Sequence, residues 1–339
     1  MKAGYWITTI FFALMLINYG DATTITHKCF QTGYDQFCLI HDVFYKRNAS
    51  VRYVFPQNYS YVRIGNDGWN KGIQSVIEHL DGQLYKELGS PPMLEIMNSD
   101  MQSMEVPRQL RHGGFANNDI KWFSLEEGSE TPVLQYLDLS SNYISNITNV
   151  SILVNLVHLN LISNGIDSLE EHPFKPLVKL EVLFLNYNSI ATFQSEDFPP
   201  SLVYISLFAN DITKINYTGL SFPVLERLNL ERNDLSSLDI PKILEAMPKL
   251  NTFLIGVNDL GHSDLRRVIE QLKHHNITYV SSMDEASCYH SEVEIDGVCA
   301  TPELMGAGWL KSVLLSLVTL GMLALIILCT WWVLRQMSR

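Results

Sequence analysis

Positive charge is scarce in this chain. Its 339 residues carry 24 Lys and Arg against 36 Asp and Glu, a formal net charge of −12. Nucleic acid and anionic membrane surfaces need clustered basic side chains, so neither is expected as the main partner. Catalytic signatures are missing as well. No G-x-S-x-G, H-E-x-x-H, phosphate-binding loop or dinucleotide fingerprint occurs. Gly306, Ala307 and Gly308 do not follow a strand and read as a linker. His262, His274 and His275 lie near one another in sequence, but zinc would need further ligands in tetrahedral reach. They read as solvated helix histidines. Glu126, Glu127 and Glu130 read as a solvated acidic loop. No enzyme activity, cofactor or metal is expected. Cysteine is sparse too, with five in all.

What the chain has is a repeated phrase. LQYLDLSSNYI starts at Leu134, LVHLNLISNGI at Leu156, LEVLFLNYNSI at Leu180, LVYISLFANDI at Leu202 and LERLNLERNDL at Leu225. A looser copy, LNTFLIGVNDL, starts at Leu250. The starts are 22, 24, 22, 23 and 25 residues apart. Each follows L-x-x-L-x-L-x-x-N-x-L/I, the pattern of a leucine-rich repeat. One copy cannot bury its own apolar edge, so copies must stack into a solenoid. The Asn side chains of Asn142, Asn164, Asn188, Asn210, Asn233 and Asn258 are placed to form a ladder along it. The predicted fold is α/β: a curved leucine-rich repeat solenoid with a parallel sheet on its concave face, disulfide caps and one transmembrane helix.

Weaker copies can be read upstream. Leu110, Gly113, Phe115, Asn118 and Ile120 fit the frame, as do Leu94, Ile96, Ser99 and Met101. A third candidate uses Tyr59, Val62, Ile64, Asp67 and Trp69. Between the last two, Ile73, Val76, Ile77, Leu80, Leu84 and Leu88 recur at helical spacing. The spacing predicts a convex-side helix, although Gly82 weakens it. The array is expected to have about eight or nine coils.

Both ends read as targeting segments. Lys2, an apolar run from Trp6 to Ile17, and small Gly20 and Ala22 match a signal peptide. Val313 to Leu334 is 22 residues without a charge. At ~1.5 Å per residue it spans a ~30 Å hydrocarbon core. Lys311 and Arg335 flank it, and Trp309, Trp331 and Trp332 sit at interfacial depth. Arg335 and Arg339 at the end, and the lack of a polar spacer, argue against a lipid anchor at Gly306–Gly308. The expected division is signal peptide 1–22, N-terminal disulfide cap 23–58, repeats 59–262, C-terminal cap 263–308, transmembrane helix 309–334 and cytoplasmic tail 335–339. The expected location is the plasma membrane, single-pass type I, ectodomain outside.

Cys29 and Cys38 precede the repeats, and Cys288 and Cys299 follow them. Four cysteines admit three pairings, and a solenoid separates the two pairs, so local pairing is the simplest. Cys329 falls within the span and reads as a small apolar residue, with lipidation or a dimer contact as alternatives. Six sequons agree with secretion: Asn48, Asn58, Asn146, Asn149, Asn216 and Asn276. Glycans on Asn146, Asn149 and Asn216 would coat lateral surfaces and leave the concave face open.

Residues between the strand leucines point away from the core. They include Tyr136, Asp138, His158, Asn160, Phe184, Tyr187, Tyr204, Phe208, Arg227, Asn229, Glu231 and Arg232. Tyr136, His158, Tyr204 and Arg227 hold one repeat position in four coils. Exposed aromatics with Arg are what protein interfaces favour. Tyr136, His158, Phe184, Tyr187, Tyr204, Phe208, Arg227 and Arg232 are therefore the candidate protein-binding set. The C-terminal cap shows Leu265, Val268, Ile269 and Leu272 at helical spacing, then NITYV as a strand and the acidic loop CYHSEVEIDGVC. It lacks the Trp-x-Cys-x-Cys opening of common extracellular repeat caps.

LERLNLERNDLSSL, MPKLNTFLIGVNDL and CLIHDVFY at Cys38 resemble the leucine-rich repeat immune proteins of mosquitoes. The resemblance covers most of the ectodomain. It implies innate immunity, with a pathogen, a complement-like thioester protein or another repeat protein as partner. The chain departs from that family in lacking a heptad region after Cys299. With both local disulfides formed, no ectodomain cysteine is left for a covalent partner. The alternative is an adhesion or developmental surface protein with the same repeats.

Overall fold

The computed structural model describes residues 23–30, 36–46, 51–65, 74–128, 130–280, 288–289 and 291–302. The predicted signal peptide, the membrane span with Cys329, Asn48, Asp67 and Trp69 lie outside these residues. Among the described residues, no helix is long and apolar enough to cross a membrane.

Ten short strands form one sheet: β1 Phe37–Ile40, β2 Tyr61–Ile64, β3 Met93–Ile96, β4 His112–Gly114, β5 Tyr136–Asp138, β6 His158–Asn160, β7 Val182–Phe184, β8 Tyr204–Ser206, β9 Arg227–Asn229 and β10 Thr252–Leu254. Their spatial order equals their chain order, and every pair is parallel. This is the topology of a solenoid, in which each coil pairs only with its neighbours. The sheet starts before residue 59, where the repeats were expected to begin. The segment assigned to the N-terminal cap supplies β1, and Cys38 points into the core with no exposed surface.

The leucines of the pattern make that core. Leu134, Leu137, Leu139, Ile144 and their counterparts through Leu235 are buried. Gly113 stands in register with Leu94 and Leu137 but has no side chain to insert. The ring of Phe115 fills that place: a Cβ on Gly113 would lie 2.6 Å from Phe115 Cε2.

The asparagine ladder is formed, and Asn118 belongs to it. Asn188 shows the scheme. Its Oδ1 accepts from Ile166 N at 3.1 Å, and its Nδ2 donates to Leu161 O and Leu185 O, both at 3.0 Å. Each Asn thus ties its own turn to the preceding coil. The residue before each one is left-handed, with φ of 54° at Ser141, 55° at Tyr187 and 56° at Arg232. The chain turns out of the strand there. In the coil before Asn118, Ser99 occupies the Asn place, and its N–H donates to Asn118 Oδ1 at 2.9 Å.

Among the described residues 74–88, the predicted helix is confined to α1, Gly82–Glu87, capped by Asp81 Oδ1 accepting from Leu84 N at 2.9 Å. Val76–Ile77 pairs with Phe44–Tyr45, and His79–Leu80 pairs with Ser103–Met104. Two short β segments separated by a bend also place apolar side chains at intervals of three and four, so tertiary pairing overrides the helical pattern. His79–Leu80, Ser103–Val106 and Trp122–Leu125 form a second parallel ladder on the return side of the coils. Farther along, the return side is packed by Phe174, Phe198, Phe193 and Phe222, with centroids 5.5–6.0 Å apart.

The C-terminal end contains α2, Ile240–Ala246, and the amphipathic α3, His262–His274, which buries Leu265, Val268, Ile269 and Leu272 as predicted. The NITYV strand shrinks to one bridge, Thr278 to Thr252, with Phe253 N donating to Thr278 O at 2.7 Å. The acidic loop is a hairpin, Val293–Ile295 against Val298–Ala300, turning at Asp296 and Gly297 with φ of 52° and 86°. Asp-Gly between apolar residues is the sequence signal for such a turn. Both disulfides pair locally, Cys29 with Cys38 and Cys288 with Cys299.

Candidate protein-interaction face

The sheet register aligns the outward side chains into rows. One row runs Phe37, Tyr61, Met93, His112, Tyr136, His158, Val182, Tyr204, Arg227, Thr252. Tyr136, His158, Tyr204 and Arg227 therefore do share one position, as the spacing predicted. Phe184 lies in the next row, between Asn160 and Ser206.

The predicted residues fall into two groups. His112, Tyr136 and His158 stand ring beside ring at 6.3 and 6.2 Å. The second group is tighter. Phe184 meets Tyr204 edge-on at 5.3 Å, and Tyr187 meets Phe208 at 5.3 Å. The Arg227 guanidinium lies over the Tyr204 ring at 4.6 Å. Tyr187 is 56% exposed, although its backbone is at the left-handed turn rather than in the strand. Ser206 is buried, and its Oγ has no hydrogen-bond partner; Asn186 Oδ1 is likewise unpartnered.

Arg232 departs from the expectation of a free contact residue. Its Nη1 lies 2.9 Å from Glu292 Oε1, and its guanidinium is 4.5 Å from the Tyr289 ring and 5.8 Å from Phe208. It anchors the cap to the aromatic group. Sequence reasoning missed Glu292 and Tyr289 because no pattern links a cap loop to a particular coil. Beside Arg232, burial pushes the Glu231 carboxyl above its ordinary pKa, against the opposing effects of Asn229 and Arg232.

A second arginine is paired with a carboxylate nearer the N-terminal edge of the sheet. Arg63 Nε is 2.5 Å from Glu95 Oε2, and its Nη2 donates to Tyr61 Oη at 2.7 Å. Burial, then the Glu95 carboxylate, pushes the Tyr61 phenol up to about 12.

The other candidate chemistries do not assemble. Asp138 and Glu231 lie four coils apart, and Asp138 Oδ1 accepts from Ser140 N at 2.8 Å. Arg108 ties down the acidic loop, donating from Nε to Glu126 O at 2.8 Å. His262 Nε2 lies 2.9 Å from Thr301 O, away from His274 and His275, whose rings meet edge-on. Among the described residues, one group could be close enough for a metal: Cys288, Glu292 and Cys299. Its two sulfurs are joined in the disulfide.

Residues 154–212 match the family described as Leucine rich repeat. The coils across 154–212 are leucine-rich repeats. Among curated proteins, none matches this chain. An internalin, inlF of Listeria monocytogenes, superposes with a TM-score of 0.48 at 18% identity, over 70% of this chain and 68% of its own. The TLR13–ssRNA13 complex gives 0.49 at 21% identity, over 62% of this chain and 32% of its own. The LRIM1/APL1C complex gives 0.43 at 14% identity, over 89% and 75%. None of the three assigns these leucine-rich repeats a ligand.

The sequons meet different surroundings. Asn146 is exposed, and its Oδ1 accepts from Thr148 Oγ1 at 2.7 Å. Asn58, Asn216 and Asn276 are exposed too. Asn149 is exposed as well, and its Nδ2 donates to Phe123 O at 2.7 Å.

Proposed function

We propose that this chain is a cell-surface recognition protein, without enzymatic activity, that binds a protein partner through the open face of its repeat sheet. The observation that carries this reading is the group of Phe184, Tyr187, Tyr204, Phe208 and Arg227, packed ring on ring across three coils. Aromatic side chains with Arg are what interface hot spots use.

The anchor is a single transmembrane span at 309–334, with the repeats outside. The setting is insect innate immunity, on the resemblance of the CLIHDVFY segment and the cap layout, with adhesion as the competing role. The test is capture of proteins from insect blood and cell surfaces by the full-length chain, before and after microbial challenge. Recovery of a thioester complement-like protein or another repeat immune protein supports the immune role; adhesion molecules alone shift it to adhesion. Changing Tyr204 and Phe208 together to Ala should leave surface display intact and weaken capture. Unchanged capture moves the site off this face.

A further inference from the structure

Cations stacked on rings recur in this molecule, and they follow a rule with one exception. Arg63 lies over Tyr61, Arg227 over Tyr204, Arg232 over Phe208 and Tyr289, Lys242 over Tyr217 and Lys273 over Tyr279. Four of these five also meet a carboxylate: Arg63 with Glu95, Arg232 with Glu292, Lys242 with Asp239 and Lys273 with Asp296. Arg227 has no ion pair among the described residues, and it is exposed. Glu95 and Glu292 serve the other two stacked arginines.

We propose that Arg227 is the anchoring residue of the face, and that it takes a carboxylate from the partner: an acidic side chain flanked by apolar ones. Stacking on Tyr204 holds the guanidinium plane in place, which leaves its fork of donors free for bidentate pairing. Tyr204 adjoins it in the sheet register, Val182 lies one strand beyond Tyr204, and Phe184 packs edge-on against the Tyr204 ring, an apolar bed for the flanking side chains. The net charge of −12 sets the class of partner. It disfavours a polyanion at long range, so the contact is one carboxylate in an apolar setting rather than a charged stripe. This inference rests on the open face being the binding face.

The test selects a random peptide library on the full-length chain purified in detergent. The same selection is run on Arg227→Gln, on Arg227→Lys and on the Tyr187→Ala/Phe208→Ala pair, each checked for an unchanged melting temperature. Enriched peptides should carry Asp or Glu beside an apolar residue. They should lose about tenfold or more in affinity on Arg227→Gln, with Arg227→Lys recovering part of it. Replacing the peptide's carboxylate by its amide should cost the parent protein the same factor and cost Arg227→Gln nothing. Peptides without a carboxylate, or peptides that need Tyr187 and Phe208 but are indifferent to Arg227, overturn this proposal and leave the open-face reading standing. Peptides indifferent to all the variants, or no enriched peptide, overturn both.

Discussion

Asn188 is a single side chain that closes four backbone bonds, one of them to the N–H of the preceding coil and one to that coil's carbonyl. An aliphatic residue of its size could fill the space but not satisfy those groups. Each buried donor or acceptor left bare costs about 1–3 kcal/mol. Asn188→Ala should therefore lower stability by roughly 3 kcal/mol, read by denaturant titration. A loss below about 1 kcal/mol would mean that water replaces the ladder. Glu231 gives a second test at this scale. Burial raises its pKa, so its ionised form is the disfavoured one in the fold. The penalty is absent below the ordinary carboxylate pKa of about 4.3 and grows as the pH rises above it. Glu231→Gln should raise the melting temperature at pH 7 and give no gain at pH 4. A gain at both values would point to packing rather than charge.

The element that depends most on a distant contact is the C-terminal hairpin. It docks through Val257 N donating to Cys299 O at 2.7 Å and through the Arg232–Glu292 pair, whose carboxylate side chain is only 6% exposed. Removing one partner of a largely buried pair leaves the other charge desolvated and unpaired, which is costlier than losing the attraction alone. Glu292→Gln should speed amide exchange across 291–302 while protection in β5 to β8 stays unchanged. Uniform loss of protection would mean that the hairpin and the coils unfold as one unit. The disulfide works at the same end. Closing a loop of 11 residues between Cys288 and Cys299 contributes about 2–3 kcal/mol in the chain-entropy account.

At the scale of the whole molecule, stability is a sum over coils and the interfaces between them. Leu159 and Leu183 sit in adjacent coils with no exposed surface. An Asp at either place is an unpaired charge in the shared core, so Leu159→Asp or Leu183→Asp should abolish surface display by flow cytometry. Normal display of either would contradict the register. Anchoring is tested separately. Deleting 308–339 should release the protein into the medium, and retention on cells would require another anchor.

Two levels of this structure can be separated. The repeat spacing alone determined the inward leucines, the asparagine ladder and the row shared by Tyr136, His158, Tyr204 and Arg227. It could do so because a coil contacts only its neighbours, so a local period is also the spatial one. Weak copies remained readable wherever an inward side chain survived, as at Leu94 and Ile96. Local pairing of the cysteines followed from the same geometry, because the solenoid keeps its ends apart. Tertiary contact decided the rest. Pairing of 76–77 and 79–80 with strands far along the chain displaced a helical pattern. The Phe115 ring made Gly113 a core position. The hairpin's Glu292 and Tyr289 engaged Arg232, while Arg227 has no ion pair among the described residues. These outcomes depend on which side chains meet across coils and caps, and that is set by folded distances rather than by the period of the chain.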